Sequence, residues 1–192
     1  MFVPVIYGSV RSERVGMRAA KMIVRALESR SHEAQIVDPA ECDLPMLDKR
    51  IFEFPDGEVP AALSRLSSVF QRANAFVFVT AEYNHCIPPA LKNLMDHFGT
   101  DEFGGRPSGI VSYSVSRFGG VRAAEQMRVL VPSFGSITIP SVLSIPDIEN
   151  AMDAEGNLPD GSPWPEIVEA FLTELEAWAR AAPGTTQYDG VD

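Results

Sequence analysis

Five short segments along the chain have the composition of β-strands. The first, FVPVIY, is apolar, contains β-branched residues and stops at Gly8 and Ser9, as a buried strand stops at a turn. The predicted strands are residues 2–7, 32–38, 75–80, 107–113 and 136–139.

Between these segments, apolar residues recur every three or four positions, which is the spacing of a helix with one buried face. The two prolines at 88 and 89 suit the first turn of such a helix. The segment 146–163 is rich in Pro, Asp, Gly and Asn, and we expect it to form a long surface loop. Helices are predicted over residues 14–29, 60–72, 88–98, 121–131 and 164–180.

The regular alternation of strands and helices predicts a parallel sheet covered on both faces, because parallel strands need helical crossovers and these are right-handed. The sequence contains no internal repeat and no second apolar core. We therefore predict a single domain over residues 1–182. The remaining residues, 183–192, have little to bury, and we expect a mobile C-terminal tail.

Length and charge narrow the range of functions. A chain of 192 residues with 45% hydrophobic content is long enough for a substantial core. Its formal net charge of −10 argues against nucleic acid or an anionic membrane as a partner. No apolar run reaches the ~18 residues of a membrane span, and the N-terminus lacks the features of a secretion signal, so we expect a cytoplasmic protein.

The two cysteines fit no metal spacing and no disulfide framework, so we predict no metal site. Cys86 falls in a loop at the expected ligand edge, but no nearby pattern marks it as a nucleophile. We expect it to be an inert thiol.

In sheets of this kind, ligands bind beyond the carboxyl ends of the strands, and three loops lie there. The first is GSVRSER, residues 8–14, which leads into a helix. Ser9, Arg11 and Arg14 could cradle a phosphate with the help of the helix start, and Gly16 could permit close approach of the chain. An ordinary turn with solvated arginines is the competing interpretation. The loop has neither G-x-G-x-x-G nor a Walker lysine, so no Rossmann or triphosphatase site is indicated.

The second loop, AEYNHCIPPALKN at residues 81–93, places an acid, an aromatic, an amide and an imidazole in succession. Its backbone and side chains at Glu82, Tyr83, Asn84 and His85 could grip the rim and face of a planar heterocycle. A solvated histidine is commoner than a catalytic base, so we assign no catalytic side chain.

The third loop is SYSVSRFGGVRAA at residues 112–124. Gly119 and Gly120 could let the backbone approach a ligand or could supply a turn and a helix start. The sequence leaves both interpretations open.

Together, GSVRSERVG, AEYNHCIPPALKNLMDHF and SYSVSRFGGVRAAEQMR resemble the NADPH-dependent FMN reductase family in order and spacing, over about residues 3–160. The segments VDPAECDLPMLD and MDAEGNLPDG are also similar to the family. The chain departs from the common pattern in the second loop, where Ala81 replaces Pro and Cys86 replaces Ser. It departs in the first loop at Arg14 and Gly16, where many members have Ser and Asn.

The resemblance implies a flavodoxin-like three-layer α/β/α fold, with a five-stranded parallel sheet in the order 2-1-3-4-5. It implies bound FMN, NADPH or NADH as hydride donor, and a quinone, azo, metal-oxyanion or flavin acceptor. A homodimer or homotetramer is also implied. The sequence does not decide between NADPH and NADH.

The resemblance also assigns positions in the site. Ser9, Arg11 and Arg14, together with Gly16, are expected at the FMN phosphate. The segment from Glu82 to His85 is expected at the ring system, with Ser112 and Tyr113 on the other side of the pocket; Arg122 is left without a role. Two rival functions remain on the sequence alone: a flavodoxin-like electron carrier and a flavin-free regulatory module.

Overall fold

Five parallel strands form one sheet, in the order β2-β1-β3-β4-β5. We describe it from a computed structural model, in which residues 1–182 can be described. The predicted mobile tail, residues 183–192, lies outside the described residues. The sheet order confirms the one that the family resemblance implied. The strands are β1 (Phe2–Tyr7), β2 (Glu33–Val37), β3 (Phe76–Ala81), β4 (Pro107–Tyr113) and β5 (Ile137–Ile145).

Helices cover both faces of the sheet, and every residue of the three central strands is therefore buried. One face packs against the first and last helices of the described chain, and the other face packs against the helices between β2 and β5. The helices are α1 (Met17–Ser29), α2 (Ala61–Gln71), α3 (Pro89–Asp96), α4 (Thr100–Phe103), α5 (Val121–Leu130), α6 (Ile148–Ala151) and α7 (Trp164–Ala181). Two short 3₁₀ segments lie at Ile51–Glu53 and Val131–Phe134.

The structure corrects two predicted elements. The fifth strand does not end at residue 139 but continues to Ile145, passing through Pro140. A sheet tolerates proline there because β5 is an edge strand, whose outward N–H groups need no partner. The prediction that residues 146–163 form only a surface loop is wrong, since this segment contains α6 and buries Ile148 and Met152 in the core. The sequence did not reveal these two buried residues because the segment around them is mostly polar.

The first helix begins at Met17, three residues later than the pattern predicts. Residues 8–16 therefore form a longer loop between β1 and α1, at the carboxyl end of β1. Within residues 1–182 no helix is both long and apolar enough to span a membrane.

Candidate cofactor-binding pocket

Three loops meet at the carboxyl edge of the sheet and enclose an open pocket between them. The loop after β1 contributes residues 9, 11 and 13–15, the loop after β3 residues 81–83, and the end of β4 with its following loop residues 113–116. These are the three loops that the sequence singled out. The sheet order places them together because β1, β3 and β4 are adjacent and parallel.

The loop after β1 presents backbone N–H groups without protein partners. The N–H of Gly8 donates to the carbonyl of Val79 at 2.9 Å. Among the described residues, none accepts a hydrogen bond from the next five N–H groups, at residues 9–13. Arg11 is exposed beside them and has no carboxylate partner in the described part of the chain. Successive N–H groups with an adjacent guanidinium suit a phosphate, so this loop fits the phosphate of FMN.

Arg14 lines the same pocket but is tied to the protein. Its Nη1 donates to Asp38 Oδ1 at 2.7 Å and to the Ser9 carbonyl at 3.2 Å, and its guanidinium lies over the ring of Tyr7. Asp38, just after β2, is nearly buried and offsets part of this charge. Arg14 therefore braces the loop, whatever contact it makes with a ligand. Sequence reasoning missed Asp38, although an acid directly after a strand at this edge was a visible signal.

Hydroxyl groups lie in and directly behind the pocket lining: Ser9, Tyr83 and Tyr113 line it, and Tyr7 is fully buried behind Tyr113. The hydroxyls of Tyr7 and Tyr113 are 3.0 Å apart, and Ser9 Oγ lies 2.5 Å from the hydroxyl of Tyr83. Burial raises the pKa of both Tyr7 and Tyr113, so these two hydroxyls stay protonated at neutral pH. Tyr113 therefore offers the pocket a neutral hydrogen-bonding group, and Tyr7 is hydrogen-bonded to it from behind. Tyr7 was missed by sequence reasoning because the strand-like run that it ends is otherwise apolar.

Gly16 lies under Tyr113 and does not line the pocket. A Cβ at this position would be only 1.8 Å from Cζ of Tyr113. The close approach that the sequence suggested for this glycine is therefore an approach to the tyrosine ring.

The second loop is a tight hairpin. The backbone N–H of Tyr83 donates to the Cys86 carbonyl at 2.8 Å, and the N–H of Cys86 donates back at 2.9 Å. The two residues between them, Asn84 and His85, have φ of 49° and 71°. This left-handed pair is strained for residues with side chains and recurs at functional sites. Both side chains are exposed at the hairpin tip and lie outside the pocket lining, whereas Glu82 and Tyr83 line it.

Helix α5 holds this hairpin in place. Glu82 accepts hydrogen bonds from the backbone N–H of Arg122 at 3.1 Å and from its guanidinium at 3.0 Å. One turn later, Gln126 accepts from the N–H of Ile87 at 2.9 Å and donates to the His85 carbonyl at 3.3 Å. Arg122, unassigned from sequence, thus pairs with a pocket residue. Gln126 was missed, although its i, i+4 spacing from Arg122 places both on one helix face.

The third loop is fixed from behind by Ser112. This buried side chain donates to the Gly119 carbonyl at 2.8 Å and shares a hydrogen bond with Ser144, and it does not line the pocket, whereas Tyr113 does. Gly119 and Gly120 have φ of 63° and 77°, and a Cβ on Gly120 would lie 2.7 Å from the Tyr113 carbonyl. Of the two interpretations of this glycine pair, the structure supports the turn that begins α5.

Comparison with known proteins points to one family. The sequence profile of the NADPH-dependent FMN reductase family matches residues 1–150. The chain is 32% identical over 130 residues to the NAD(P)H-dependent FMN reductase of Pseudomonas aeruginosa. The alignment covers 65% of this chain and 69% of that one. It is 27% identical over 185 residues to a quinone reductase of Pseudomonas putida, covering 93% and 94% of the two chains.

Among solved structures, FerB, a flavoenzyme NAD(P)H:(acceptor) oxidoreductase from Paracoccus denitrificans, superposes with a TM-score of 0.73 at 20% identity. The superposition covers 92% of this chain and 97% of that one. A flavodoxin from Pseudomonas aeruginosa superposes with a TM-score of 0.55, also at 20% identity, over 90% and 99% of the chains. At these identities the structural likeness shows the flavodoxin-like fold alone. It is the profile, matching well over half of the sequence, that shows that the chain belongs to the NADPH-dependent FMN reductase family.

Proposed function

We propose that this protein is an NAD(P)H-dependent reductase that holds FMN in the pocket between the three loops. The observation that carries the proposal is the group of five N–H groups at residues 9–13 that have no acceptor within residues 1–182, with Arg11 beside them and the hydroxyls of Tyr83 and Tyr113 in the same pocket lining. FMN, when bound, supplies the hydride chemistry between the nicotinamide and an acceptor. In this proposal the phosphate lies on the first loop and the ring lies against the second loop, where Glu82 and Tyr83 line the pocket.

The chain's own residues then bind and orient rather than transfer protons. Their raised pKa values keep the hydroxyls of Tyr7 and Tyr113 neutral, so that they serve as hydrogen-bonding groups, and Glu82 is bound to Arg122. The pocket is open on the side lined by Val115, which is 64% exposed. We propose that the nicotinamide and the acceptor use this open side in turn. Parallel initial-velocity lines are expected, and intersecting lines would contradict a shared side.

For the acceptor, we propose a small planar conjugated oxidant such as a quinone. Relatives are named quinone reductase in Pseudomonas putida and FMN-dependent NADPH-azoreductase in Staphylococcus aureus. The azoreductase is 26% identical over 156 residues, so azo compounds are the second class to assay. Metal oxyanions and free flavins complete the acceptor panel.

We further propose a cytoplasmic homodimer or homotetramer. The apolar stripe of Leu91, Leu94 and Met95 is buried in the core, so it is not available for a subunit contact. Met46 and Phe52, exposed by 77% and 62%, are the larger apolar side chains left on the surface near α3. Light scattering coupled to size exclusion measures the oligomeric state directly.

The primary test is the visible spectrum of the purified protein, reconstituted with FMN and followed after NADPH or NADH is added without oxygen. Bleaching of the bound-flavin band near ~450 nm is expected. A protein that stays colourless with excess FMN would instead be a flavin-free module. One that binds FMN but is bleached by neither nucleotide would be an electron carrier.

A further inference from the structure

Two arginines are stacked on one exposed phenylalanine beside the pocket. The guanidinium carbons of Arg117 and Arg122 each lie 5.0 Å from the ring centroid of Phe118. Phe118 is 44% exposed, and its loop continues directly from Ser116, the last residue of the third loop that lines the pocket. Because both cations share one ring, two like charges are held near each other at the rim of the site.

Only one of these charges is compensated by an acid in the described part of the chain. Arg122 pairs with Glu82 at 3.0 Å. Arg117 forms no ion pair and donates no hydrogen bond to any residue within 1–182. Asp147 bonds to this loop through its backbone N–H, but both of its carboxylate oxygens accept hydrogen bonds from Asn150. In a protein of net charge −10, an arginine without an acid partner beside a pocket is a candidate for binding an anion.

The loop that carries Arg117 is held rigidly. The Ser116 carbonyl accepts from Ser114 Oγ at 3.0 Å and from the N–H of Asp147 at 3.1 Å. The Ser114 carbonyl accepts from the N–H of Ile148, also at 3.1 Å. A cation on a fixed loop, with its guanidinium already stacked, loses little freedom when an anion binds.

We propose that Arg117, supported by the Phe118 ring and by Arg122, binds the 2′-phosphate of NADPH and makes the protein prefer NADPH to NADH. This inference rests on the proposed function. The FMN phosphate is accounted for by the N–H groups and Arg11 of the first loop. The second anion site, on the third loop, is therefore open to the other phosphorylated ligand. A guanidinium can donate two parallel hydrogen bonds to a phosphate dianion, and NADH has no 2′-phosphate to accept them.

The test compares Arg117→Ala with wild type, in the FMN-reconstituted full-length protein, on NADPH and on NADH. We expect kcat/KM for NADPH to fall about tenfold or more, mainly through KM, while kcat/KM for NADH changes less than about twofold. Arg117→Lys should have a kcat/KM for NADPH between those of wild type and Arg117→Ala, because the lysine ammonium keeps the charge but cannot form the two parallel hydrogen bonds of a guanidinium. Arg72→Ala is the matched control, since Arg72 also stacks on a phenylalanine, Phe2, at the start of β1 and therefore at the amino edge of the sheet.

A second measurement separates this inference from the proposed function. Calorimetric binding of 2′,5′-ADP and of 5′-AMP to the protein needs no turnover. We expect 2′,5′-ADP to bind about tenfold more tightly than 5′-AMP, and Arg117→Ala to remove that difference. Equal losses for NADPH and NADH, or a wild type without preference between them, would overturn the inference while leaving a working reductase. A loss confined to an anionic acceptor such as chromate would also overturn it.

If neither nucleotide bleaches the flavin but 2′,5′-ADP still binds through Arg117, the proposed function fails and the phosphate site stands. If 2′,5′-ADP does not bind and NADH is oxidised normally, only the phosphate site fails.

Discussion

At the scale of single residues, Gly16 and Tyr113 share one small space beside the pocket. The tyrosine ring can lie there only because residue 16 has no side chain, since a Cβ would be 1.8 Å from Cζ. In the family pattern this position is often Asn. The departure at Gly16 is therefore linked to the buried ring of Tyr113 and to the hydroxyl pair that it forms with Tyr7.

Gly16→Ala should displace the Tyr113 ring and break this hydroxyl pair. The backbone of Gly16 has φ of −73°, which alanine adopts freely, so the effect is one of overpacking. We expect the free energy of unfolding to fall by about 1–3 kcal/mol and FMN binding to weaken, as measured by denaturant titration and flavin fluorescence.

Tyr113→Ala is itself destabilising because it removes a buried ring, but in that background Gly16→Ala should cost little further stability. Gly99→Ala is the control, because a Cβ there meets nothing closer than 3.4 Å. Additive losses in the double variant would contradict the shared-space interpretation.

Arg11→Ala tests the phosphate cradle. Arg11 is exposed and unpaired within the described chain, so its removal should leave stability unchanged but weaken FMN binding about tenfold, with a smaller salt dependence of the Kd. Fluorescence titration of FMN at two salt concentrations measures both effects. Arg65→Ala, an exposed arginine on α2, is the matched control. Equal Kd values for the two variants would place the phosphate elsewhere.

At the scale of elements, the hairpin of residues 83–86 depends on α5. Gln126 holds both the His85 carbonyl and the Ile87 N–H, and Glu82 accepts from the start of the same helix. A strained hairpin with two left-handed residues persists only where its surroundings hold it. The helix therefore orders the loop that is proposed to contact the flavin ring.

Gln126→Ala should loosen this hairpin without unfolding the domain. We expect faster amide exchange over residues 84–87 and an FMN Kd about three to ten times higher, with a change in unfolding free energy below about 1 kcal/mol. Glu125→Ala, at the neighbouring exposed position, is the control. If amide exchange in the hairpin is unchanged in Gln126→Ala, the hairpin is rigid without this clamp.

At the scale of the whole molecule, an ion cluster joins the first and last helices of the described chain. Glu176 of α7 accepts from Arg30 at 2.5 Å and from His32 at 2.9 Å, and Arg30 also pairs with Glu169. The hydrogen bond from Arg30, followed by that from His32, lowers the pKa of Glu176 to about 2. Glu176 is only 13% exposed, so the interaction is weakly screened.

This depressed pKa fixes the sign of a pH effect. The contribution of Glu176 to stability is present above its ordinary pKa of 4.5 and is lost as the pH falls from there to about 2. Glu176→Gln should therefore lower the free energy of unfolding by about 3 kcal/mol at pH 7, and the difference should shrink below pH 4.5. Denaturant titrations between pH 7 and pH 3 measure it.

Glu169 pairs with the same arginine, Arg30, but its carboxylate is 65% exposed. Glu169→Gln should therefore lower the free energy of unfolding by less than about 1 kcal/mol. If Glu176→Gln and Glu169→Gln lower the free energy of unfolding equally at pH 7, burial of the carboxylate does not determine how much each ion pair contributes.

The alternation of apolar strands and amphipathic helices was enough to predict the parallel sheet, and the three loop motifs were enough to place a pocket at its carboxyl edge. Both follow from local patterns, because periodicity and turn residues act over a few neighbouring positions. Element ends were less well determined: β5 runs past residue 139, and α6 lies in the segment expected to be a loop.

Only the tertiary structure decided what the pocket side chains do. Arg14 is bound to Asp38, Glu82 to Arg122, and Tyr7 to Tyr113, pairs that are 24, 40 and 106 residues apart along the chain. The tertiary structure likewise placed Asn84 and His85 at an exposed tip and Ser112 behind its loop. Such side-chain hydrogen bonds form only when distant segments are packed together in the folded chain. The residue types can be read from the sequence, but the pairing between them cannot.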